Sequence, residues 1–169
     1  MAAERSDEDR HRALAAFIET MLDRHGVPER QRFRALEAAL GMSYTHFADP
    51  SGLDNGNVSS VGDLLRLMQY IYEKRHFIVD ITAGKKLPDM YVTGEFSGLA
   101  NFNTVDGMDN FIGGKIGETT AAGQTSVTLH TLNVRGEERV VAIIILGSKG
   151  RNADVTALLK YAEERFGDQ

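Results

Sequence analysis

The chain has 169 residues, of which 42% are hydrophobic and 25% charged, and these values predict one globular domain with a sizeable core. Its formal net charge of -5 argues against general nucleic-acid binding, and the absence of cysteine excludes a disulfide framework and thiol catalysis. The longest apolar run, Val140 to Leu146, is too short to span a bilayer, and residues 1–10 lack the apolar stretch of a secretion signal.

The first part of the chain, residues 1–75, is predicted to be helical. One helix ends at Gly26 and Pro28, and a second runs from about Pro28 to Leu40 with Gly41 at its exit. The apolar positions at helical spacing are Leu14, Phe17, Ile18, Met21 and Leu22 in the first helix and Phe33, Leu36 and Leu40 in the second.

A polar loop and a third helix are predicted next. The segment 42–57 is rich in Gly, Asp, Asn, Ser and Pro, which is typical of a loop. Ser59 or Ser60 can cap the following helix, and Asp63 favours the positive end of that helix. The apolar stripe of this helix consists of Leu64, Leu65, Leu67, Met68 and Ile71.

The second part of the chain, residues 76–169, is predicted to contain a sheet and a final helix. Residues 76–82 and 90–93 are expected to form short strands. Residues 125–134 are expected to form a longer strand, because apolar and polar side chains alternate there and Val, Thr and Leu are frequent.

The end of the chain has the clearest pattern. A turn at 135–137 leads to residues 139–146, whose β-branched run is typical of a strand buried on both faces. A helix is predicted over 152–166, with Val155, Leu158, Leu159 and Ala162 facing inward. The simplest assembly over 1–169 is a single α+β domain, with helices before an antiparallel sheet and the last helix packed on that sheet.

Lys115 is the residue with the strongest chemical signal. It lies in the stretch Gly113-Gly-Lys-Ile-Gly-Glu-Thr-Thr-Ala-Ala-Gly123. On a strand edge flanked by glycines, its ammonium can orient a carboxylate or help to move a proton. A surface lysine in a glycine-rich turn is the simpler alternative. A phosphate-binding loop is rejected, because Asp109 and Ile116 occupy positions that require Gly and Ser or Thr.

Four further segments accompany Lys115-Ile-Gly117 in a fixed order: residues 40–53, 57–64, 101–103 and 144–151. Together they resemble the serine D-alanyl-D-alanine carboxypeptidases, which are penicillin-binding enzymes of the β-lactamase-like superfamily and carry Lys-Thr-Gly as their third signature. The resemblance covers about residues 33–166. It implies a partial β-lactamase or transpeptidase-like fold and, for the parent family, removal of the terminal D-alanine from peptidoglycan stem peptides through an acyl-enzyme.

The resemblance implies substrate contacts for four residues. Lys115 lines the site, Gly117 lets an extended substrate lie against the strand, and Arg151 lies near the terminal carboxylate of the substrate. Ile116 stands where the family has Thr and offers no hydroxyl. This change weakens the expected hold on the carboxylate of a peptide or β-lactam by about 1–3 kcal/mol.

The serine nucleophile of the resembled family is absent. No Ser in the chain has Lys three residues later, and Ser-x-Asn does not occur. Ser43 and His46 have the residue types of a catalytic pair, but a packed or solvated loop pair is the preferred interpretation. The chain is therefore expected to be the C-terminal part of such an enzyme and to be inactive alone. The alternatives are a binding module without catalysis, or a half-domain that self-associates through an exposed sheet or is completed by another chain.

No metal or cofactor is expected. The five His side chains, at positions 11, 25, 46, 76 and 130, have no ligand spacing. Asp54 to Asn57 lacks the alternating acidic ligands of a calcium loop and is predicted to be a turn. Members of the resembled family normally work outside the cytoplasmic membrane after export.

Overall fold

The computed structural model describes residues 29–83 and 110–167. In these ranges the chain forms four helices and one three-stranded antiparallel sheet with the strand order β1-β2-β3. The elements are α1 (Glu29–Ala39), α2 (Val61–Lys74), α3 (His76–Thr82), β1 (Phe111–Thr119), β2 (Gly123–Val134), β3 (Glu137–Ser148) and α4 (Arg151–Phe166). This architecture confirms the predicted α+β class.

Two compact units divide the chain, residues 1–63 and residues 64–169, with the boundary in the first turn of α2. The expectation of a single domain stays a prediction. The predicted helix before Gly26 and the predicted strand at 90–93 lie outside the described residues.

Helix α1 in the first unit confirms the helix predicted near residues 28–40. It ends in a Schellman motif, in which the amides of Gly41 and Met42 donate to the carbonyls of Ala38 and Glu37 at 3.1 and 2.8 Å. Gly41 has the positive φ of 64° that this motif requires. The turn buries Met42.

The loop after α1 is held by side chains that accept backbone hydrogen bonds. The Asn57 amide oxygen accepts from the amides of Ala48 and Asp49 at 2.8 and 3.2 Å, and the Asp49 carboxylate accepts from the Ser51 amide at 3.1 Å. The Asp54 carboxylate accepts from the Gly56 amide at 2.7 Å, so the predicted turn at Asp54–Asn57 is confirmed.

Ser60 caps α2, as one of the two predicted possibilities. Its hydroxyl accepts from the Asp63 amide at 3.2 Å. Asp63 itself is fully buried, and its carboxylate accepts from the Tyr44 amide and the Thr45 hydroxyl at 2.8 and 2.9 Å. Asp63 therefore ties the loop to the helix start, in addition to its predicted position near the positive end.

Helix α3 contradicts the strand predicted over 76–82. The β-branched run in this segment favours a strand, but only Val79 of α3 is buried, in a cluster with Met68 and Leu129. One inward side chain per helical turn suits this packing better than alternation does. The Thr82 hydroxyl donates to the Val79 carbonyl at 2.8 Å, which satisfies a group at the helix end.

The hairpin of β2 and β3 confirms the predicted strand and turn positions. Arg135 and Gly136 have φ values of 56° and 76°, and two successive positive φ values are typical of the tight turns that join twisted strands. The strands pair antiparallel from Val134 and Glu137 at the turn to Gln124 and Ser148, with a bulge near Ser126.

The core of the second unit lies on both faces of the sheet. One cluster packs α4 on β2 and β3, and the other packs α2 and α3 on the opposite side of β2. The first consists of Leu132, Ile143, Ile145, Val155 and Leu159, and the second of Met68, Val79 and Leu129.

Two details of the predicted core are wrong. Leu158 on α4 is 42% exposed, because its position on the helix lies outside the stripe formed by Val155 and Leu159. Strand β3 is not buried on both faces, since Val140 and Leu146 are 39% and 43% exposed. In the described ranges, β3 has a strand partner on one side only.

Candidate functional site

The first half of β1 is held closely between α3 and β2. A Cβ atom on Gly113 would lie 2.6 Å from the Val79 carbonyl oxygen, and one on Gly114 would lie 2.4 Å from the Val127 carbonyl oxygen. The Gly114 amide donates to the Thr82 hydroxyl at 3.0 Å. These glycines allow α3 to cover this part of β1, and the more open part of the strand begins at Lys115.

Lys115 pairs with Val127 on β2 and is exposed as a residue. Its ammonium donates to the carbonyl of Ile116. Desolvation by the surrounding protein and the positive charge of Arg151 both lower the pKa of Lys115. Among the described residues β1 is an edge strand, and the two cations Lys115 and Arg151 lie within electrostatic range of each other there.

Arg151 is the first residue of α4 and is 9% exposed. Its amide donates to the Gln124 side-chain oxygen at 2.9 Å, which fixes the start of the helix on β2. One guanidinium nitrogen donates to the carbonyls of Gly117 and Thr125 at 2.9 and 3.4 Å. The Nε of the same guanidinium is buried without a hydrogen-bond partner.

Ile116 and Gly117 complete the set of four predicted site residues, and both are half-buried on β1. Gly117 pairs with Thr125, whose hydroxyl donates to the Gly117 carbonyl at 3.2 Å. A Cβ atom on Gly117 would lie 3.0 Å from that hydroxyl oxygen, so the position favours glycine. The structure thus brings Lys115, Ile116, Gly117 and Arg151 together at one edge of the sheet.

Three residues that position this site have no sequence signal of their own: Thr82, Gln124 and Thr125. Thr82 holds the Gly114 amide, Gln124 holds the start of α4, and Thr125 supports the Gly117 carbonyl. Each acts on a residue that is distant along the chain or on another strand. Only the strand register and the helix placement identify them.

A row of polar side chains lies on one face of β2: Ser126, Thr128 and His130 are all fully buried. The His130 ring is 3.0 Å from the Thr128 hydroxyl and 3.4 Å from the Asn110 side-chain oxygen. Burial lowers the pKa of His130 to about 4. The Ser126 hydroxyl has no partner, yet at 1% exposure it is inaccessible to a substrate.

Other parts of the described structure are weaker candidates for a catalytic or binding site. Ser43 and His46 are both exposed, and the His46 backbone pairs with Val58, so this pair belongs to the loop as predicted. A surface depression near the β2–β3 turn is lined by Val134, Arg135, Glu137, Arg139, Arg165, Phe166 and Gly167, away from Lys115. Residues 29–83 and 110–167 contain no group of three or more side chains that could hold a metal ion.

Within those same ranges, none of the helices is both long enough and apolar enough to cross a bilayer.

The fold is similar to solved structures of penicillin-binding proteins and carboxypeptidases. Penicillin-binding protein D2 from Listeria monocytogenes, in its cefotaxime-bound form, is 25% identical over 78% of this chain, with a TM-score of 0.63. The D-alanyl-D-alanine carboxypeptidase from Mycobacterium tuberculosis H37Rv is 26% identical over 80% of this chain, with a TM-score of 0.55. An evolved penicillin-binding protein homologue from Mycobacterium tuberculosis shares the fold, at 23% identity over 80% of this chain and a TM-score of 0.57.

The aligned region is about half the length of each of these structures, at 53%, 52% and 53% in the same order. No protein-family model and no curated protein matches the sequence. The structural similarity confirms the resemblance that the ordered motifs indicated, and with it a partial transpeptidase-like fold.

Proposed function

We propose that this chain forms the Lys115 side of a serine carboxypeptidase-type site and binds an extended peptide, the peptidoglycan stem peptide, along β1. It does so without forming an acyl-enzyme by itself. The observation that carries the proposal is the convergence of Lys115, Gly117 and Arg151 at one strand edge, where the Arg151 guanidinium donates to the Gly117 carbonyl at 2.9 Å.

Electrostatics support a ligand with a negative group at this edge. Desolvation by burial and the charge of Arg151 both lower the pKa of Lys115. A carboxylate between the two cations would relieve their repulsion and accept charge-assisted hydrogen bonds. We therefore expect ligand binding to raise the pKa of Lys115.

The shape of β1 supports a ligand in an extended conformation. Gly117 has no side chain to block an approaching backbone, while α3 covers the strand near Gly113 and Gly114. An added strand takes its affinity from backbone hydrogen bonds and its specificity from adjacent side chains. Ile116 supplies an apolar contact where the resembled family has a hydroxyl, so the carboxylate depends on Lys115 and Arg151.

The absence of catalysis is a separate claim and has its own test. Acylation needs a hydroxyl that a neighbouring base activates, and the chain has no Ser followed by Lys at helical spacing. We expect no covalent label after incubation with a fluorescent penicillin and denaturation. A stoichiometric adduct that survives denaturation would contradict the claim, and a serine carboxypeptidase with its nucleophile is the positive control.

Binding is tested by titrating the chain with a peptide that ends in D-Ala-D-Ala and following the backbone amides of β1 by NMR. We expect shifts confined to Lys115 and its neighbours. Lys115→Met should weaken binding about ten-fold through loss of a charge-assisted contact. Lys149→Met removes the same charge from an exposed position beyond β3 and should leave affinity unchanged. Equal affinities for both variants would contradict the proposed role of Lys115 in binding the peptide.

A half-domain completed by another chain is the second candidate function. It is favoured by the length of the alignment, which spans 53% of the Listeria protein, and by the single strand partner of β3 in the described ranges. If a second chain supplies the missing nucleophile, mixing it with this chain restores penicillin acylation. Restored acylation that is unaffected by Lys115→Met would contradict the proposed role of the β1 edge.

A further inference from the structure

The outer edge of β3 has the composition of a strand that pairs with another strand. In the ranges that the structure describes, β3 is bonded to β2 alone. Its central segment, Val140-Val-Ala-Ile-Ile-Ile-Leu146, contains no charge, proline or glycine. Edge strands of stable monomers usually carry such residues, because an unprotected edge is a template for pairing with another chain.

The apolar residues at both ends of this segment of β3 are exposed to solvent. Val140 and Leu146 are 39% and 43% exposed, although both lie in a strand of apolar side chains. The pairing of β3 with β2 is regular up to Ile145, and its register shifts between Ile145 and Ser148, where Gly147 has a φ of 71°. A partner strand can pair with the segment from Val140 to Leu146, which lies before this glycine.

We infer that this chain forms a two-fold dimer in which β3 pairs antiparallel with β3 of a second copy, centred on Ile143. In this register Val140 of one copy lies opposite Leu146 of the other, and the reverse pair repeats across the axis. The two exposed apolar side chains thereby cover each other, as directly opposite residues on one face of a sheet do. The paired strands join two three-stranded sheets into one of six strands.

Charge selects this register over its neighbours. Centring on Ile143 brings the acidic start of β3, Glu137 and Glu138, towards the exposed Lys149 that follows the strand in the other copy. A shift that centres the axis on Ala142 would place Glu138 opposite Leu146, with a charge against an apolar side chain.

A shift in the other direction is equally unfavourable. Centring the axis on Ile144 would place Arg139 opposite Lys149, and like charges directly opposite each other destabilise a sheet. A second copy of the chain is self-complementary in the Ile143 register, as a two-fold interface requires.

The inference is independent of ligand binding at β1, so failure of one leaves the other intact. It is tested by sedimentation of the whole chain over a concentration series. We expect a reversible dimer for the native sequence. Val140→Glu and Leu146→Lys should each weaken the dimer at least about ten-fold, because each charge occurs twice at a symmetric interface and faces an apolar side chain.

Combining Val140→Glu with Leu146→Lys distinguishes this register from any other association. The two new charges lie opposite each other across the axis, so the double variant should dimerise more tightly than either single variant. Leu53→Lys, an equally drastic change at an exposed loop position, should leave the dimer unaffected. A native monomer, a dimer insensitive to both single changes, or a double variant weaker than both singles would each overturn the inference.

A near-native variant tests the same pairs without introducing charge. The chain has no cysteine, so Val140→Cys with Leu146→Cys provides the only thiols. Directly opposite residues have Cβ atoms about 5 Å apart, close enough for oxidation to link two copies. The two positions within one copy are about 20 Å apart along the strand and cannot link to each other. Oxidation that yields only monomer would overturn the register.

Discussion

The two edges of the described sheet are built in opposite ways. Along β1, Gly113 and Gly114 admit close packing, Thr82 holds a backbone amide, and Lys115 presents a charge. Along β3, the segment from Val140 to Leu146 has no charge and no glycine, and no described element pairs with its outer side. The two proposals rest on this difference: the β1 edge offers a charge to a polar ligand, and the β3 edge offers an uninterrupted apolar segment to another strand.

The largest loss of stability is expected from replacing Gly114, the glycine that allows β1 to lie close to β2. Gly114→Ala places a Cβ atom 2.4 Å from the Val127 carbonyl oxygen and 2.7 Å from the Thr128 Cα, at a φ of 155° that side chains rarely adopt. We expect a loss of about 4 kcal/mol in the free energy of unfolding, or no folding at all. Urea denaturation measures the effect.

Gly136→Ala is the matched control for that change. Gly136 also has a positive φ, but nothing lies within 4 Å of an added Cβ atom. Its cost should be about 1 kcal/mol, from the backbone conformation alone. Equal losses at both positions would mean that close packing of β1 does not matter.

The next prediction concerns β2, the strand between β1 and β3, and the stability of the protein at acid pH. The pKa of His130 is lowered from 6.5 to about 4, so protonation of this buried ring opposes folding. The unfolded chain then binds more protons between these values, and stability falls as the pH drops from 6.5 to 4, by about 3 kcal/mol in total. Above pH 6.5 this contribution is constant.

His130→Gln separates this effect from the titration of carboxylates in the same range. Glutamine stays neutral at every pH and can still hydrogen-bond with Thr128. Unfolding curves at a series of pH values should therefore show a smaller acid-induced loss for the variant than for the native chain. Parallel losses would contradict the assignment of the effect to His130.

A smaller effect is expected from Arg151, which joins β1 to α4. Arg151→Met removes the bonds to the Gly117 and Thr125 carbonyls and should cost about 2 kcal/mol. Because Arg151 lowers the pKa of Lys115, the variant should also raise that pKa, which NMR titration of the lysine side chain measures.

Arg151→Lys serves as the control for charge. It keeps a cation near Lys115 but cannot donate in the guanidinium geometry. We expect part of the stability to be lost while the pKa of Lys115 stays low. A rise in that pKa equal to the rise in Arg151→Met would show that the charge of Arg151 is not its cause.

The smallest loss of stability is expected at the end of β1 that α3 covers. Thr82→Val keeps the volume but removes the hydroxyl that accepts from the Gly114 amide, and it should cost about 1 kcal/mol. Hydrogen exchange at Gly114 should become faster than at residues of β3. Unchanged exchange would indicate that Thr82 does not hold this edge.

The positions of most elements could be predicted because they depend on local patterns. Gly41 ended α1 with a left-handed turn, Ser60 capped α2, and Gly136 helped to reverse the chain between β2 and β3. The helix over 76–82 could not be predicted in this way. Its residues favour a strand locally, and only the packing of Val79 against Met68 and Leu129 favours a helix.

Residue identity and short-range spacing were enough to predict α1, α2, the β2–β3 hairpin and α4, the absence of a Ser-x-x-Lys pair, and the motifs that resemble a carboxypeptidase. Three contacts follow only from the tertiary structure. Arg151 donates to the carbonyl of Gly117, which lies 34 residues earlier, the Gln124 side chain accepts from the Arg151 amide, and the Thr125 hydroxyl donates to the Gly117 carbonyl. The tertiary structure also decided which edge of the sheet is charged and which is apolar. Strand register and helix placement arise from packing between distant segments, and no local pattern contains that information.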